Sequence, residues 1–401
     1  MAVHKNRIAA GLDAGSAYTR CVVCIVDDDR VRLLGFGEVS SRGWQKGRID
    51  DQDAISECIR QAVGEAERMA QVSVEGVVVG VGGSNIEGAN GRGLYEFGRP
   101  RQIEAGDLGY AIEQAIRQQR MGEDRLLLQV LPQDFTVDGR AGFRNPRGVT
   151  CARLEANVYL VTVSAHHHQA LIAAIHQSHL GVEESIFEPM AGAYASVLGE
   201  ERARGVVLAD IGAHSTDLVI YDGEALLAAV SLPICGDHFT RDVAYGLRIS
   251  YEDAETMKEE YGCAMLGLTS DSSLIEVPAA DGRPARETTR RQLNEILEAR
   301  AEELCYYIRE EVAKVGMDQS LLEGIVLSGG GALLNGMCDM AEHVLNCPAR
   351  NGLPQGIENL PEGLMSPAWT TAAGLAMYSA RLKLHKETRS RATGLMGMVL
   401  R

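Results

Sequence analysis

The sequence predicts an α/β protein of two related lobes, each built on a mixed sheet and each carrying an insertion. Three observations predict it. The chain opens with the order β-β-β-α-β, part of that order returns from Gly205 onward, and one polar turn joins the first two strands of both copies. The turns are "GLDAGSAYTR" and "ADIGAHSTDLV". A single turn chemistry repeated at the scale of a domain marks an internal duplication.

The elements follow in order. "RIAAGLDAGSAYTRCVVCIVDDDRVRLLGFGEVSS" reads as three strands separated by a Gly/Ser turn and an Asp-rich turn. In "TRCVVCIV" the Cys21 and Cys24 side chains face opposite ways, because strand residues alternate. "DQDAISECIRQAVGEAERMAQ" keeps helical spacing at Ile55, Ile59, Val63 and Met69, with Asp50 or Asp51 as the cap. "EGVVVGVGG" is the next strand. Residues 84–163 then interrupt the first copy with turn-rich stretches, one helix in "AGDLGYAIEQAIRQQR", and strands such as "RLEANVYLVTV". A helix capped by Ser164 resumes the lobe, and "EESIFEPMAGAYASVLG" adds a strand and a helix.

"GVVLADIGAHSTDLVIYDGEALLAAVSLP" gives three strands of the second copy, and "GDHFTRDVAYGL" opens a helix. Residues 250–298 read as a second insertion, with a helix in "SYEDAETMKEEYG" and a loose polar loop in "TSDSSLIEVPAADGRPARETTR". "RQLNEILEARAEELCYYIREEVAKVG" is a long amphipathic helix, and "LEGIVLSGGGALLNGMCDMAEHVL" is strand, glycine turn, helix.

Composition narrows the function. The chain has 401 residues, enough for several cores, with 45% hydrophobic and 23% charged residues, the balance of a soluble globular protein. A formal net charge of -16 argues against a surface that holds nucleic acid, which needs a basic face. Nine scattered cysteines with no metal or disulfide spacing suit a reducing compartment. The N-terminus reads as no signal peptide, and no apolar run approaches the ~20 residues that span a bilayer. The expectation is a cytoplasmic location.

Three turns carry the chemistry. Gly15, Ser16, Ala17 and Tyr18 form the first, Gly212, Ala213, His214 and Ser215 the second, and Gly329, Gly330 and Gly331 the third. Backbone N–H groups in two facing hairpin turns can cradle phosphates from both sides, and small residues let that backbone approach. Asp13 and Asp210 hold corresponding places in the two copies. Such a pair suits a hydrated Mg²⁺, which takes few carboxylates beside water and phosphate oxygens. The third turn can contact a nucleoside. Each turn alone is weak evidence, since glycine turns after strands also serve packing.

Together the turns resemble those of the actin-like ATPase superfamily. "GLDAGSAYT" and "LADIGAHSTD" are similar to its two phosphate motifs, "FEPMAGAYA" to its connecting motif, and "IVLSGGGALLNG" to its adenosine motif. Within that group the chain resembles the FtsA cell-division family along nearly its whole length. The resemblance lies in "KGRIDDQDAISECIRQAV", "LQVLPQDFTVDG", "GFRNPRGVTCARLEANVYLVT" and "DVAYGLRISYEDAETMKEEYGCA". It implies an actin-like two-lobed fold of duplicated ribonuclease-H-like domains with the FtsA-type inserted subdomain 1C. Its divisions would be 1–83 plus 164–196 and about 366–385 for subdomain 1A, and 84–163 for 1C. Residues 197–249 plus 299–365 would form 2A and 250–298 would form 2B, with a basic tail over 386–401.

The resemblance further implies a peripheral membrane protein at the inner face of the division septum. It would bind ATP with Mg, polymerise, hold the C-terminal peptide of the tubulin-like FtsZ, and meet other divisome proteins through 1C. It also implies weak ATP hydrolysis at most. Glu188 matches a position that orients attacking water, and its plainer reading is a strand-end residue beside Pro189. Lys258 and Glu259 match the helix over ribose and adenine, and Gly236 the close approach to ribose. Arg290, Arg291 and Arg300 would receive the acidic and apolar FtsZ tail; as bare sequence they sit on a solvated helix. His214 departs from the family's glycine and can either donate to a phosphate or crowd it.

His166, His167 and His168 do not make a metal site, because consecutive helix residues point ~100° apart. The tail carries Arg381, Lys383, Lys386, Arg389, Arg391 and Arg401 against Glu387 alone, which suits an anionic lipid surface. Leu395, Met396, Met398, Val399 and Leu400 would form the apolar face of a short membrane helix, and a disordered basic tail is the alternative. Two other functions compete. One is an adaptor like the pilus-assembly protein PilM; the other is a small-molecule kinase of the same superfamily, for which no sugar-site signature is present.

Overall fold

The computed structural model describes residues 7–27, 30–223, 225–270, 272–279, 284–317 and 323–399, with side chains as far as Leu384. The first lobe opens with β1 (Ile8–Ala14), β2 (Tyr18–Asp27) and β3 (Arg30–Ser40). A small hairpin, β4 (Trp44–Gln45) and β5 (Arg48–Ile49), leads to α1 (Gln52–Ala70) and β6 (Gly76–Val81). Asp51 caps α1, its carboxylate accepting from the Ala54 N–H at 3.0 Å.

The insertion holds β7 (Ile86–Gln102), α2 (Ala105–Gln118), β8 (Arg125–Val137), β9 (Arg140–Phe143) and β10 (Thr150–Ser164). The lobe resumes with α3 (Ala165–Gln177), β11 (Gly181–Phe187) and α4 (Glu188–Ser196), followed by the short α5 (Gly199–Arg204). The second lobe runs β12 (Val206–Ile211), β13 (Thr216–Asp222), β14 (Ala225–Leu232), α6 (Gly236–Leu247) and α7 (Tyr251–Tyr261). It continues with β15 (Leu274–Val277), β16 (Arg286–Thr289), α8 (Arg290–Lys314), β17 (Ile325–Ser328), α9 (Met337–Leu345) and β18 (Ala349–Asn351). β19 (Ile357–Glu358) and α10 (Thr370–Val399) return to the first lobe.

The duplication is explicit in the topology. One sheet has the order β11-β6-β1-β2-β3-β19 and the other β14-β13-β12-β17-β18. In each, the first three strands form an antiparallel meander, and the remaining core strands add in parallel beside the first. Parallel addition places the C-terminal ends of β1 and β6, and of β12 and β17, along one edge of each sheet. The crevice outside those ends is the usual ligand position in open α/β sheets.

Two helices join the lobes. α4 packs on β12 and β13 as well as on its own lobe, and α10 crosses α4 and covers β1 and β2. The crossing needs a residue without a side chain, since a Cβ on Gly374 would lie 1.8 Å from the Ala191 carbonyl oxygen. Buried apolar residues continue across the lobe boundary, from Val79 and Phe187 to Leu208, Val219 and Val326. A separate core fills the second lobe around Leu293, Leu304 and Phe239. Cys21 and Cys24 lie on opposite faces of β2, in different cores.

The insertion forms its own four-stranded sheet, β7-β10-β8-β9, with α2 against it. It docks on β14. The Tyr159 hydroxyl accepts from the Ala229 N–H at 3.0 Å, and Gln133 Nε2 donates to the Leu226 carbonyl at 2.8 Å.

Three local expectations differ from the structure. The supposed loose loop over 269–290 contains the antiparallel pair β15–β16, in which Ile275 and Val277 turn inward. Ser164 ends β10 and makes no side-chain cap to α3. Met69 is 54% exposed, because the α1 face that meets β3 is completed by Ala66 and Ala70 against Gly35. From residue 386 to Val399 the chain continues α10 without a break; Leu400 and Arg401 lie outside the described residues, as do the side chains of Leu395, Met396, Met398 and Val399. Among the described residues, no helix is long and apolar enough to cross a membrane.

Candidate functional site

A cleft of about 620 Å³ opens between the lobes. Its walls are the β1–β2 turn, the β12–β13 turn, the end of β6, the start of α6, one side of α7, and the glycine turn after β17. Asp13, Gly15, Ser16, Ala17 and Tyr18 line it from the first lobe. Asp210, Gly212, Ala213, His214, Ser215, Gly236, Lys258, Glu259, Gly329, Gly330 and Gly331 line it from the second, and Glu188 reaches it from the start of α4. Arg290, Arg291 and Arg300 do not.

Each turn is braced by its own lobe. Ser41 donates its hydroxyl to the Gly15 carbonyl at 2.6 Å and its N–H to the Ala17 carbonyl at 2.8 Å. In the second turn the Gly212 N–H bonds the Ser215 carbonyl at 2.8 Å. The first two N–H groups of α6, on Gly236 and Asp237, donate to the Gly212 and Ala213 carbonyls at 2.9 and 2.8 Å. Neither Ala213 nor His214 has a positive φ, so replacing glycine there carries no backbone strain. The third turn does need glycine: Gly329 has φ +80°, and a Cβ there would stand 2.5 Å from Asp210 Oδ1.

The deep end of the cleft is a cluster of carboxylates. Asp13 is buried and sits directly across the β1–β2 ladder from Arg20. Burial raises its carboxyl from 3.8 to about 7, with Arg20 opposing and Asp210 adding to the shift. Asp210 accepts from Thr371 Oγ1 at 2.7 Å, and burial pushes its carboxyl up against that bond. Glu188 is pushed well above the usual range by burial and by Asp13, Asp217 and Asp210.

Asp217 completes the cluster and was not singled out by the sequence reading. Its Oδ2 accepts from the Gly83 N–H at 2.8 Å and from Ser215 Oγ at 3.1 Å, tying the end of the first lobe to the second turn. Burial raises it to about 6. Gly82 was missed as well; a Cβ there would lie 2.2 Å from Glu188 Oε2 and 2.6 Å from Asp217 Oδ2. Only the closing aspartate of "DIGAHSTD" and the glycine pair ending "VVVGVGG" signalled these residues in the sequence.

Arg20 and Lys258 are the Lys and Arg residues on the cleft wall, set against Asp13, Glu38, Glu188, Asp210, Asp217, Asp237, Glu255 and Glu259. Both cations are engaged. Arg20 pairs with Glu38 at 2.5 Å and lies over the Tyr18 and Trp369 rings. Lys258 donates to both Glu255 oxygens at 2.8 Å and to Thr240 Oγ1 at 2.9 Å. An anion entering this cleft would meet backbone N–H groups and carboxylates, an arrangement that favours a polyphosphate arriving with a divalent cation.

The residues present fit that pairing: buried carboxylates with raised pKa values, and glycines whose absent side chains leave the cradle open. Among the described residues, no group of three or more His, Cys, Asp and Glu side chains is spaced to hold a metal alone. The histidine run divides as expected of ordinary helix residues: His167 packs near Trp44, and His168 Nε2 lies 3.0 Å from Ser185 Oγ. The three arginines assigned to a partner are engaged within the fold. Arg290 Nε donates to the Tyr261 carbonyl at 2.6 Å, Arg291 pairs with Glu295 at 2.9 Å, and Arg300 pairs with Asp242 at 2.6 Å.

Comparison with known proteins gives a consistent family. The family described as "Cell division protein FtsA" matches residues 207–374, and "SHS2 domain inserted in FTSA" matches residues 83–162. The chain is 31% identical over 377 residues to the cell division protein FtsA of Pseudomonas aeruginosa, covering 94% of this chain and 90% of the relative. It is 30% identical over 402 residues to that of Escherichia coli strain K12, covering 98% and 95%. Among solved structures it is similar to the PilM-PilN type IV pilus biogenesis complex, with a TM-score of 0.68, 18% identity, and coverage of 93% of this chain and 98% of that one. It is also similar to MreB5 of Spiroplasma citri bound to ADP, with a TM-score of 0.56, 13% identity, and coverage of 96% and 99%. At those identities the structures establish the fold, which is actin-like, and nothing about ligands or partners.

Proposed function

Because the chain belongs to the FtsA family of cell division proteins, we propose that it is an ATP-binding scaffold that polymerises at the inner face of the membrane and tethers FtsZ at the division septum. The observation that carries the nucleotide part is the convergence of three separate turns on one cleft. Residues about 13–18, 210–215 and 329–331 are far apart in sequence and line one cleft from its two sides. In this reading the first two turns hold the phosphates, and the glycines at 329–331 with Lys258 and Glu259 hold the nucleoside. Asp13 and Asp210 hold Mg²⁺ through water, and the ion would offset carboxylate charge against phosphate charge. Burial and the neighbouring Asp13, Asp217 and Asp210 push the Glu188 carboxyl well above its usual range and favour its neutral form, which suits slow hydrolysis at most.

The subdomain boundaries drawn from the sequence are part of the same proposal. Its 1C segment contains the β7-β10-β8-β9 sheet, a body of its own available for self-assembly and for other divisome proteins. In this reading the FtsZ C-terminal peptide docks on α8 beside Arg290, Arg291 and Arg300. Lys383 pairs with Glu183 and Arg381 lies over the Tyr194 ring within the fold, so in this reading the basic residues of the 386–401 tail meet anionic lipid, where many tails on one filament multiply a small affinity. A PilM-like adaptor shares the fold, but the curated relatives at about 30% identity are FtsA proteins.

Anionic vesicles test the assembly. With Mg·ATP the full chain should co-sediment with them, and a chain lacking residues 390–401 should stay in the supernatant while still capturing the FtsZ C-terminal peptide. Equal pelleting of both chains would remove the membrane role from the tail.

A further inference from the structure

We propose that the β4–β5 hairpin is a strap across the mouth of the cleft: held to the first lobe at its base and resting on the second lobe at its tip, it gates the entry and release of the ligand. The inference rests on the nucleotide reading of the cleft and adds an element that this reading leaves without a role.

The base of the hairpin is fixed. Ser41 donates to the Gly15 and Ala17 carbonyls at 2.6 and 2.8 Å, so the chain entering the hairpin is bonded to the first turn. The Gly43 carbonyl accepts from the Asp50 and Asp51 N–H groups at 2.8 and 3.1 Å, which closes the hairpin onto the start of α1. Trp44 and Ile49 pack on the first-lobe core, with the Trp44 ring 6.2 Å from that of His167 on α3. The reversal itself is tight. Lys46 and Gly47 have φ +48° and +73°, the pattern of a two-residue type I′ turn. An element braced at this many points moves with its lobe.

The tip meets the other lobe. A Cβ on Gly47 would lie 3.6 Å from His214 Cβ and 3.7 Å from the His214 carbonyl oxygen, in the second turn. Among the described residues, no hydrogen bond joins Gly47 to His214. A packing contact of this kind can part without leaving a polar group unpaired. The bond from the Gly83 N–H to Asp217 at 2.8 Å, by contrast, joins the lobes at a buried carboxylate. Trp44 and Gly47 line the cleft while Lys46 and Arg48 are exposed, so the strap stands at the boundary between cleft and solvent. It thus runs from the first turn to the second. A ligand held between those turns leaves as the lobes part, and that step breaks the contact of Gly47 with His214.

The test follows association and release of a fluorescent ATP analogue with Mg²⁺ by stopped flow. It compares the parent with a chain in which residues 45–48 are replaced by two glycines, after thermal melts show that both are folded. A gate predicts that both rates rise by about 10-fold without the tip, with affinity within about threefold of the parent. Damage to the first turn would instead speed release alone and weaken affinity in proportion. A second protein carries Gly47→Cys with His214→Cys, whose Cβ separation of 3.6 Å lies within the ~3.5–4.5 Å that a disulfide spans. Oxidised glutathione should yield the linked peptide, read by mass spectrometry, and release from the oxidised form should be at least about 10-fold slower than from the reduced form. Both forms share the same substitutions, so backbone strain at position 47 cancels. Unchanged rates in the shortened chain, a change confined to release, equal release from the oxidised and reduced forms, or no linked peptide would each overturn the strap. A parent that binds no analogue would bring down the nucleotide reading beneath it.

Discussion

Replacing Gly330 by valine is expected to lower ATP affinity by at least about 100-fold while leaving the fold intact. A Cβ at Gly330 meets no atom within 4 Å, so the valine is accommodated by the empty protein. Gly330 nevertheless lines the cleft, and the added side chain projects into the volume assigned to the nucleoside. A loss of 100-fold corresponds to about 2.8 kcal/mol, the scale of a steric block at a well-packed contact. Gly212 is a less clean probe, because a Cβ there would already stand 3.1 Å from the Ser215 carbonyl oxygen and strain the turn. Titration of a fluorescent ATP analogue, paired with a thermal melt, reads both quantities. Parent-like affinity in a folded Gly330→Val protein would remove the nucleoside from this turn.

Asp13→Asn is expected to make the empty protein more stable at pH 8, by on the order of 2 kcal/mol, and to weaken Mg-dependent ATP binding. Burial raises the Asp13 carboxyl from 3.8 to about 7 in the folded chain. The folded state therefore holds this proton more tightly than the unfolded state. The stability it supports is complete below about pH 4, declines as pH rises toward 7, and is gone above that. Asparagine has no charge to desolvate and escapes the decline. Chemical denaturation at pH 8 and pH 5 should show the variant ahead at pH 8 and the gap narrowing at pH 5. With Mg·ATP the order at pH 8 should reverse, since ligand stabilises only the form that binds it. A variant less stable than the parent at pH 8 without ligand would show that Asp13 is held for structural reasons.

Much of this was legible in the sequence because the duplicated turns are local features. "GLDAGSAYTR" and "ADIGAHSTDLV" announce the repeat, and the two sheets repeat one strand order around them. What was not legible comes from packing between distant segments. Thr371 reaches Asp210 from the start of α10, and Gly83 reaches Asp217 across the lobe boundary. Arg20 faces Asp13 only once β1 and β2 pair, and Trp369 closes over it from the far end of the chain. Glu255, on the helix named for Lys258 and Glu259, is the partner that fixes Lys258. The β15–β16 hairpin was hidden by its length: "LIEV" alternates inward at Ile275 and Val277, but a strand of 4 residues bounded by polar turns reads as loop. Met69 shows the converse, an apolar residue at helical spacing that stands exposed while Ala66 and Ala70 make the contact with β3.

The account stands most directly on one measurement: titration of the full-length protein with ATP in the presence and absence of Mg²⁺, followed by calorimetry. Saturable binding at one site per chain, tighter with Mg²⁺ than without, is the predicted result. No saturable binding under either condition, in a protein whose melt shows it folded, would contradict it.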